Sequence, residues 1–335
     1  MILNDSLPGL FSKGLNYTLI AVNSIALIIL VFTSAFHLGL LNDDLSLIKV
    51  VSSDETTAVR QLLRNLKNRD LNPRDFYAYG YLYNTVCYAV ISAFSYLEYE
   101  ITSTRIITFC TRGVSWLAYG LLLVLFERSL RSFNLRPCTR LAFTAYLGSC
   151  AVLYNWGHRT HPDVLQTLFS FCVLFFLLRG ISLNWIVIAA LFAGFSFGTK
   201  AAGLFSLIII VVALLGERLI FRKVPSWSRE IILIASLLCI IMVVFVVGWL
   251  GSNPYIPSNF DEFLKDLEHQ RYNLSRGPGF DVPWQPLQWF SRIENQFPGG
   301  GSVVLVVGLA LLFSLSLTTV FRFLHYKNDN GGQGS

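Results

Sequence analysis

Residues 183–216 read LNWIVIAALFAGFSFGTKAAGLFSLIIIVVALLG, a stretch in which Lys200 is the only charge. A helix of about 20 residues crosses the hydrocarbon core of a bilayer, so this stretch is long enough to cross, turn and return. The turn falls at Gly198-Thr199-Lys200-Ala201-Ala202-Gly203, where the glycines and the charge are concentrated. The rest of the chain has the same character. Of its 335 residues, 54% are hydrophobic and 14% charged, against roughly 45–50% and about 25% in soluble domains. Mean hydropathy is +0.55. A globular soluble protein and a disordered chain are both excluded. The six cysteines are scattered over apolar runs with no Cys-x-x-Cys spacing, which excludes a disulfide scaffold and a zinc ribbon. The expected class is an all-α polytopic membrane protein.

Working outward, the first apolar run covers residues 15–36, after a short N-terminus whose only basic residue is Lys13. It is long for a signal peptide and has no small-residue cleavage site, so it reads as an anchor. Further runs cover residues 76–97, 106–126, 141–156, 164–180, 183–199, 201–216, 230–250 and 301–321. Lys and Arg of short loops stay on the cytoplasmic side. Three basic clusters obey that rule together: Arg128, Arg131, Arg136 and Arg140; Arg218, Arg222, Lys223 and Arg229; and Arg322 with Lys327. Even numbers of runs separate them. With the N-terminus inside as well, only one of the runs 76–97 and 106–126 crosses, and we assign the crossing to 106–126. This predicts about eight spans with both termini inside. The net charge of +6 then reflects topology, and no nucleic-acid partner is implied.

Two large outer loops follow, residues 37–105 and 251–300, with short outer turns near 157–163 and 198–202. The run 76–97 carries six tyrosines, a residue that favours the membrane interface, and is expected to lie in the outer leaflet. Val59, Leu62, Leu63 and Leu66 repeat at helical spacing, with Arg60, Arg64, Lys67 and Arg69 largely off that stripe. This predicts an amphipathic helix lying on the membrane surface. Phe260, Phe263, Leu264 and Leu267 predict a second one. The expected organisation is a transmembrane module over 1–250, a second outer loop over 251–300, a last span within 301–327, and a tail over 328–335 whose Gly-Gly-Gln-Gly-Ser resembles a linker or a truncation point.

Four places in the outer segments offer chemistry. Asp54 and Glu55 can take a proton from a hydroxyl or hold a divalent cation; equally, Ser52-x-x-Glu55 is a capping box. His158-Arg159-Thr160-His161-Pro162-Asp163 groups polar residues at a membrane boundary, as ligand sites do; Thr160 capping and Pro162 in a first helical turn explain part of it. Lys200 suits a phosphate group or simple snorkelling. Asn253-Pro254-Tyr255 and Asn72-Pro73 suit turns, while Arg271 and Arg276 can meet an anionic substrate or face water.

Taken in order, Ser53-Asp54-Glu55, the basic amphipathic helix, Asp70-Leu71-Asn72-Pro73-x-x-Phe76-Tyr77 and the aromatic run resemble the first outer loop of GT-C glycosyltransferases. The likeness is to the family-39-like group, which includes protein O-mannosyltransferases and the aminoarabinose transferase of lipid A. His161-Pro162-Asp163 looks like the acidic motif of that group's second outer loop. Ala193-Gly194 through Thr199-Lys200 looks like its Gly-x-x-x-x-Thr-Lys segment, and Asn253-Pro254-Tyr255 is similar to its later outer loop. The resemblance covers residues 15–300. It implies a GT-C-like bundle and inverting transfer of a sugar from a polyprenyl-phosphate donor to a lipid, glycan or protein acceptor at the outer face, among membrane lipids. By the same likeness Asp54 is the general base, with Glu55 beside it and Asp163 a second acidic residue. Lys200 and Arg159 are the candidates for the donor phosphate, and a divalent metal ion is a candidate helper, with Glu55 and His161 as ligands. Members of the group often have more spans and a further C-terminal domain. The alternatives are a non-catalytic membrane scaffold and a lipid or sugar transporter subunit; a transporter calls for ionisable residues at mid-membrane, which this chain almost lacks. Unpaired cysteines and the lack of a retention signal favour the inner membrane of a bacterium, with the site facing the periplasm. Asn273-Leu274-Ser275 would be a glycosylation acceptor in an endoplasmic reticulum membrane.

Overall fold

The computed structural model describes residues 20–21, 24–25, 28–29, 53–73, 81–95, 103–221 and 227–276. Most of the first run, and all of the last span and tail, lie outside these. The described residues contain helices, turns and no strand. Helices are numbered in chain order: α1 Ser53–Asn68, α2 Tyr81–Ser95, α3 Thr104–Leu130, α4 Pro137–Ser149, α5 Ala151–Gly157, α6 Asp163–Leu177, α7 Leu183–Thr199, α8 Leu204–Leu215, α9 Trp227–Ser252 and α10 Phe260–Arg276. Residues 1–269 form one compact unit, and a second begins at Gln270.

Among the described residues three stretches are long and apolar enough to cross a membrane: Thr104–Phe133, Ala201–Arg218 and Trp227–Ser252. Asp163–Leu177 and Leu183–Thr199 are shorter apolar helices. The described part of the chain is therefore all-helical, with three helices long and apolar enough to cross a membrane. On α3, Phe109, Leu117, Leu121 and Val124 stay exposed along one side, as suits contact with hydrocarbon.

The predicted span 141–156 is not one helix. It breaks at Cys150, whose ψ of 117° leaves the helical region, giving α4 and α5. At the break the Tyr119 hydroxyl donates to the Gly148 carbonyl at 2.7 Å, a partner for a carbonyl that the interrupted ladder leaves behind.

The amphipathic α1 also departs from expectation. Its stripe, Val59, Leu62 and Leu66, packs on protein, joining Tyr83, Cys87 and Ile91 of α2 and Ile107, Cys110 and Val114 of α3 in one buried cluster. The run expected to lie alone in the outer leaflet thus supplies, through α2, a helix with one face in the core. On α10, Phe263 is buried while Phe260 and Leu264 are exposed.

The central contact is α7 against α9. A Cβ on Gly194 would come within 2.4 Å of the Phe245 carbonyl, and one on Gly248 within 2.8 Å of the Leu191 carbonyl. Bare backbone on both sides brings the helices together, as small residues do between membrane helices. On the other side of α7, Ser196 Oγ lies 2.8 Å from Ser170 Oγ of α6, and Ser206 of α8 donates to Ser170 at 2.8 Å. The three hydroxyls, with Gln166 beside them, supply one another's hydrogen bonds.

The glycine contact gives the first prediction. Gly194→Ala or Gly248→Ala forces the helices apart and destabilises the fold, by about 1–3 kcal/mol as for other overpacked cores. Gly120→Ala, where a Cβ meets nothing within 4 Å, is neutral or stabilising. Thermal unfolding in detergent compares the three, and equal melting temperatures would discard the close-packing account.

Candidate functional site

Polar residues at the start of α1, on α3 and in the 158–163 turn meet, and Glu55 anchors them. Its side chain is fully buried. Arg112 Nε donates to Oε1 at 2.6 Å and Nη2 to Oε2 at 3.0 Å. The Thr160 amide donates to Oε1 at 3.0 Å. One carboxylate therefore joins α1, α3 and the turn before α6. Burial by itself would push the Glu55 carboxyl up. The bonds and charge of Arg112, helped by the Thr160 amide, overcome it and hold the group below the usual carboxylate range. Both oxygens of Glu55, expected as a catalytic or metal-binding group, are engaged within the protein, the geometry of a positioning residue.

Asp54 stands one residue earlier, in the first turn of α1. Its side chain lies outside the described residues, as does Ser52 of the capping box. What Glu55 fixes is the backbone there, beside the 158–163 turn.

That turn is built from buried bonds. Thr160 Oγ1 lies 2.7 Å from Thr111 Oγ1, so it ties down α3 rather than capping α6. Ser115 Oγ donates to the His161 carbonyl at 3.3 Å. Tyr83 of α2 donates to the Thr111 carbonyl at 3.0 Å and lies 3.0 Å from Ser115 Oγ. The His161 ring rests on Trp156, centroids 4.2 Å apart, and its Nδ1 is 3.3 Å from Asp163 Oδ2. The His158 ring meets Tyr154 edge-on at 5.2 Å. The Arg159 guanidinium lies over Trp156, 5.8 Å from the ring centre.

Asp163 opens α6, where the helix dipole favours negative charge, and Lys200 follows the end of α7. Lys200 Nζ meets Asp163 Oδ1 at 2.5 Å, each side chain about a third exposed at 32% and 31%. This ionic contact keeps an open side.

Asn253 is the second anchor. Its Oδ1 accepts the Tyr81 amide at 2.7 Å, and its Nδ2 donates to the Gly198 carbonyl at 3.1 Å. A Cβ on Gly198 would come within 2.7 Å of that nitrogen. The Asn-Pro-Tyr stretch thus joins α2, α7 and α9 two residues before Lys200. At Asn72-Pro73 the backbone does turn: the Asn72 amide donates to Asp70 Oδ1 at 2.9 Å, and the Pro73 carbonyl accepts Gln61 Nε2 at 2.9 Å. The side chains of Arg271 and Arg276 lie outside the described residues.

Glu55 and His161 are the expected metal ligands. Glu55 is committed to Arg112 and Thr160, and among the described residues no three His, Cys, Asp or Glu side chains gather. Arg112 escaped the sequence reading altogether. Its signal was a charge inside an otherwise apolar run, the usual mark of an ion partner.

The anchor has a pH signature. In the native protein Glu55 stabilises the fold above the ordinary carboxylate range, and that stability is lost as pH falls through its lowered folded value. Arg112→Gln leaves burial opposed only by the bonds of Thr160, costing about 3–5 kcal/mol near pH 7. Proton uptake then favours the folded state, so the variant gains stability as pH falls from about 7 to about 5. Denaturation at the two pH values checks this, with Glu55→Gln/Arg112→Gln expected to recover part of the loss. A variant that shows no such gain contradicts the assignment.

Comparison of the chain with protein-family models, with curated proteins and with solved structures finds no match in any of the three.

Proposed function

We propose that the chain is an integral-membrane inverting glycosyltransferase, a GT-C-like bundle of about eight spans. It moves a sugar from a polyprenyl-phosphate donor to an acceptor hydroxyl of a lipid, glycan or protein at the outer, periplasmic face of a bacterial inner membrane. The observation that carries this reading is the Asp163–Lys200 pair, about a third exposed, at the ends of α6 and α7 and four residues after Arg159. The Glu55–Thr160 bond brings the first turn of α1, with Asp54, to the same turn.

In this reading the acceptor hydroxyl gives its proton to Asp54 as its oxygen bonds to the anomeric carbon. The bond from that carbon to the phosphate oxygen breaks, and the phosphate leaves with the electron pair. Lys200 and Arg159 meet the growing negative charge, where cations placed in advance act most strongly. Asp163 holds Lys200 in position until the phosphate replaces it. The prenyl tail lies along exposed apolar helix surface, which explains why the chemistry sits in a membrane protein.

Purified protein in lipid nanodiscs, given labelled polyprenyl-phosphate sugars and a mixed acceptor extract, is expected to turn over one donor. Asp54→Asn lowers the rate constant by a factor on the order of 10² or more, as loss of a general base does. Lys200→Met raises the donor KM roughly tenfold or more, from the lost charge-assisted bond. A folded protein that neither turns over nor binds any donor would sink the enzyme reading.

A further inference from the structure

Helix α6 is apolar except along one stripe. Asp163, Gln166, Thr167 and Ser170 stand at i, i+3, i+4 and i+7, and every other residue of the helix is Val, Leu, Phe or Cys. Residues at that spacing share a face. On α7, Ser196 and Lys200 stand one turn apart in the same way. The two helices face each other along these residues. At one end Asp163 meets Lys200. One turn along, Gln166 Nε2 donates to Ser170 Oγ at 3.2 Å and to Ser196 Oγ at 3.5 Å.

Three residues of the stripe have a firm structural use. Asp163 holds Lys200, and Thr167 donates to the Asp163 carbonyl at 2.7 Å. Ser170 lies 2.8 Å from Ser196 Oγ and accepts Ser206 at 2.8 Å. Gln166 is held more loosely. Its bond to Ser196 is longer than an ordinary N–H···O bond, and turning its amide away strands no buried group. Ser196 and Ser206 are buried, but each keeps Ser170 as a partner, and the Ser196 hydroxyl also donates to the Gln166 carbonyl at 3.3 Å. Gln166 is half-buried, and Lys200 is about a third exposed. A loosely held amide with two N–H donors therefore stands one turn from a partly open ammonium. Neighbours at that spacing are about 5–6 Å apart at Cβ, close enough for both to reach one phosphate group.

We propose that Gln166 completes the phosphate site at Lys200, its amide donating to one non-bridging oxygen of a polyprenyl phosphodiester while Lys200 takes the other. This rests on the glycosyltransferase reading and deepens it by naming the form of phosphate bound. A phosphodiester spreads a single charge over two equivalent oxygens, which one cation and one neutral donor side by side satisfy. Hydrogen bonds to such an anion are the strong, short kind, so the amide gains by leaving Ser196.

Equilibrium binding tests it, with the chain in maltoside micelles, which contain no phosphate, and a panel of labelled polyprenyl-phosphate sugars. The wild-type protein is expected to bind one of them. Q166L raises its Kd about tenfold, the loss of one hydrogen bond to a charged group. Q166K, which puts a charged donor in place of the amide, keeps the wild-type Kd or lowers it. S170A disturbs the hydroxyl cluster without touching the ligand and changes the Kd less than about twofold. Equal weakening by S170A and Q166L makes the effect one of helix packing and overturns the proposal. Weakening by K200M with none by Q166L overturns it too, while leaving the glycosyltransferase reading in place. Displacement of the label by inorganic phosphate as readily as by unlabelled donor assigns the site to a soluble anion, against the proposal. A folded wild-type protein that binds no donor overturns both.

Discussion

A carboxylate with no exposed surface persists as an anion only when its charge and lone pairs are met inside the protein. Glu55 meets that demand with one guanidinium and one amide, and each partner comes from a different part of the chain. The amphipathic helix, the longest described helix and the turn before α6 are separated by tens of residues, yet none can shift without leaving a buried charge unmatched. The hydroxyl pairs at Thr111–Thr160 and Tyr83–Ser115 depend on the register that this ion pair sets. The partly exposed pair Asp163–Lys200 is in turn held at the edge of that framework. A buried ion pair lies beneath, and a partly open one lies at the rim.

On the other side of the layer the demand is steric. Gly194 and Gly248 let two backbones touch, and serines join a buried apolar cluster in fastening α6, α7 and α8 together. The outcome of both arrangements is the same. Lys200 projects from a turn whose preceding residues are fixed by Asn253 and whose following helix is fixed by Ser206.

Helix positions were legible in the sequence wherever an apolar run had polar ends. Asp163–Leu177 and Leu183–Thr199 fall close to the runs 164–180 and 183–199, because hydropathy and caps there say the same thing. The break at Cys150 was not legible, since it depends on the Tyr119 hydroxyl reaching over from another helix. Periodicity found the apolar stripe of α1 but not its partner: bilayer and protein present the same hydrocarbon surface to Val59 and Leu62. For the candidate site, spacing grouped the residues of the 158–163 turn and picked out Lys200. It could not foresee that Glu55 would be consumed by Arg112, because a salt bridge between residues 57 apart in the chain leaves no local pattern.

The glycine contact between α7 and α9 has a mechanical consequence. Two helices that meet backbone to backbone have no side-chain layer to yield, so they behave as a single stiff post. The helix α2 leans on that post along its packing with α7 and is pinned to its end where the Tyr81 amide bonds the Asn253 side chain.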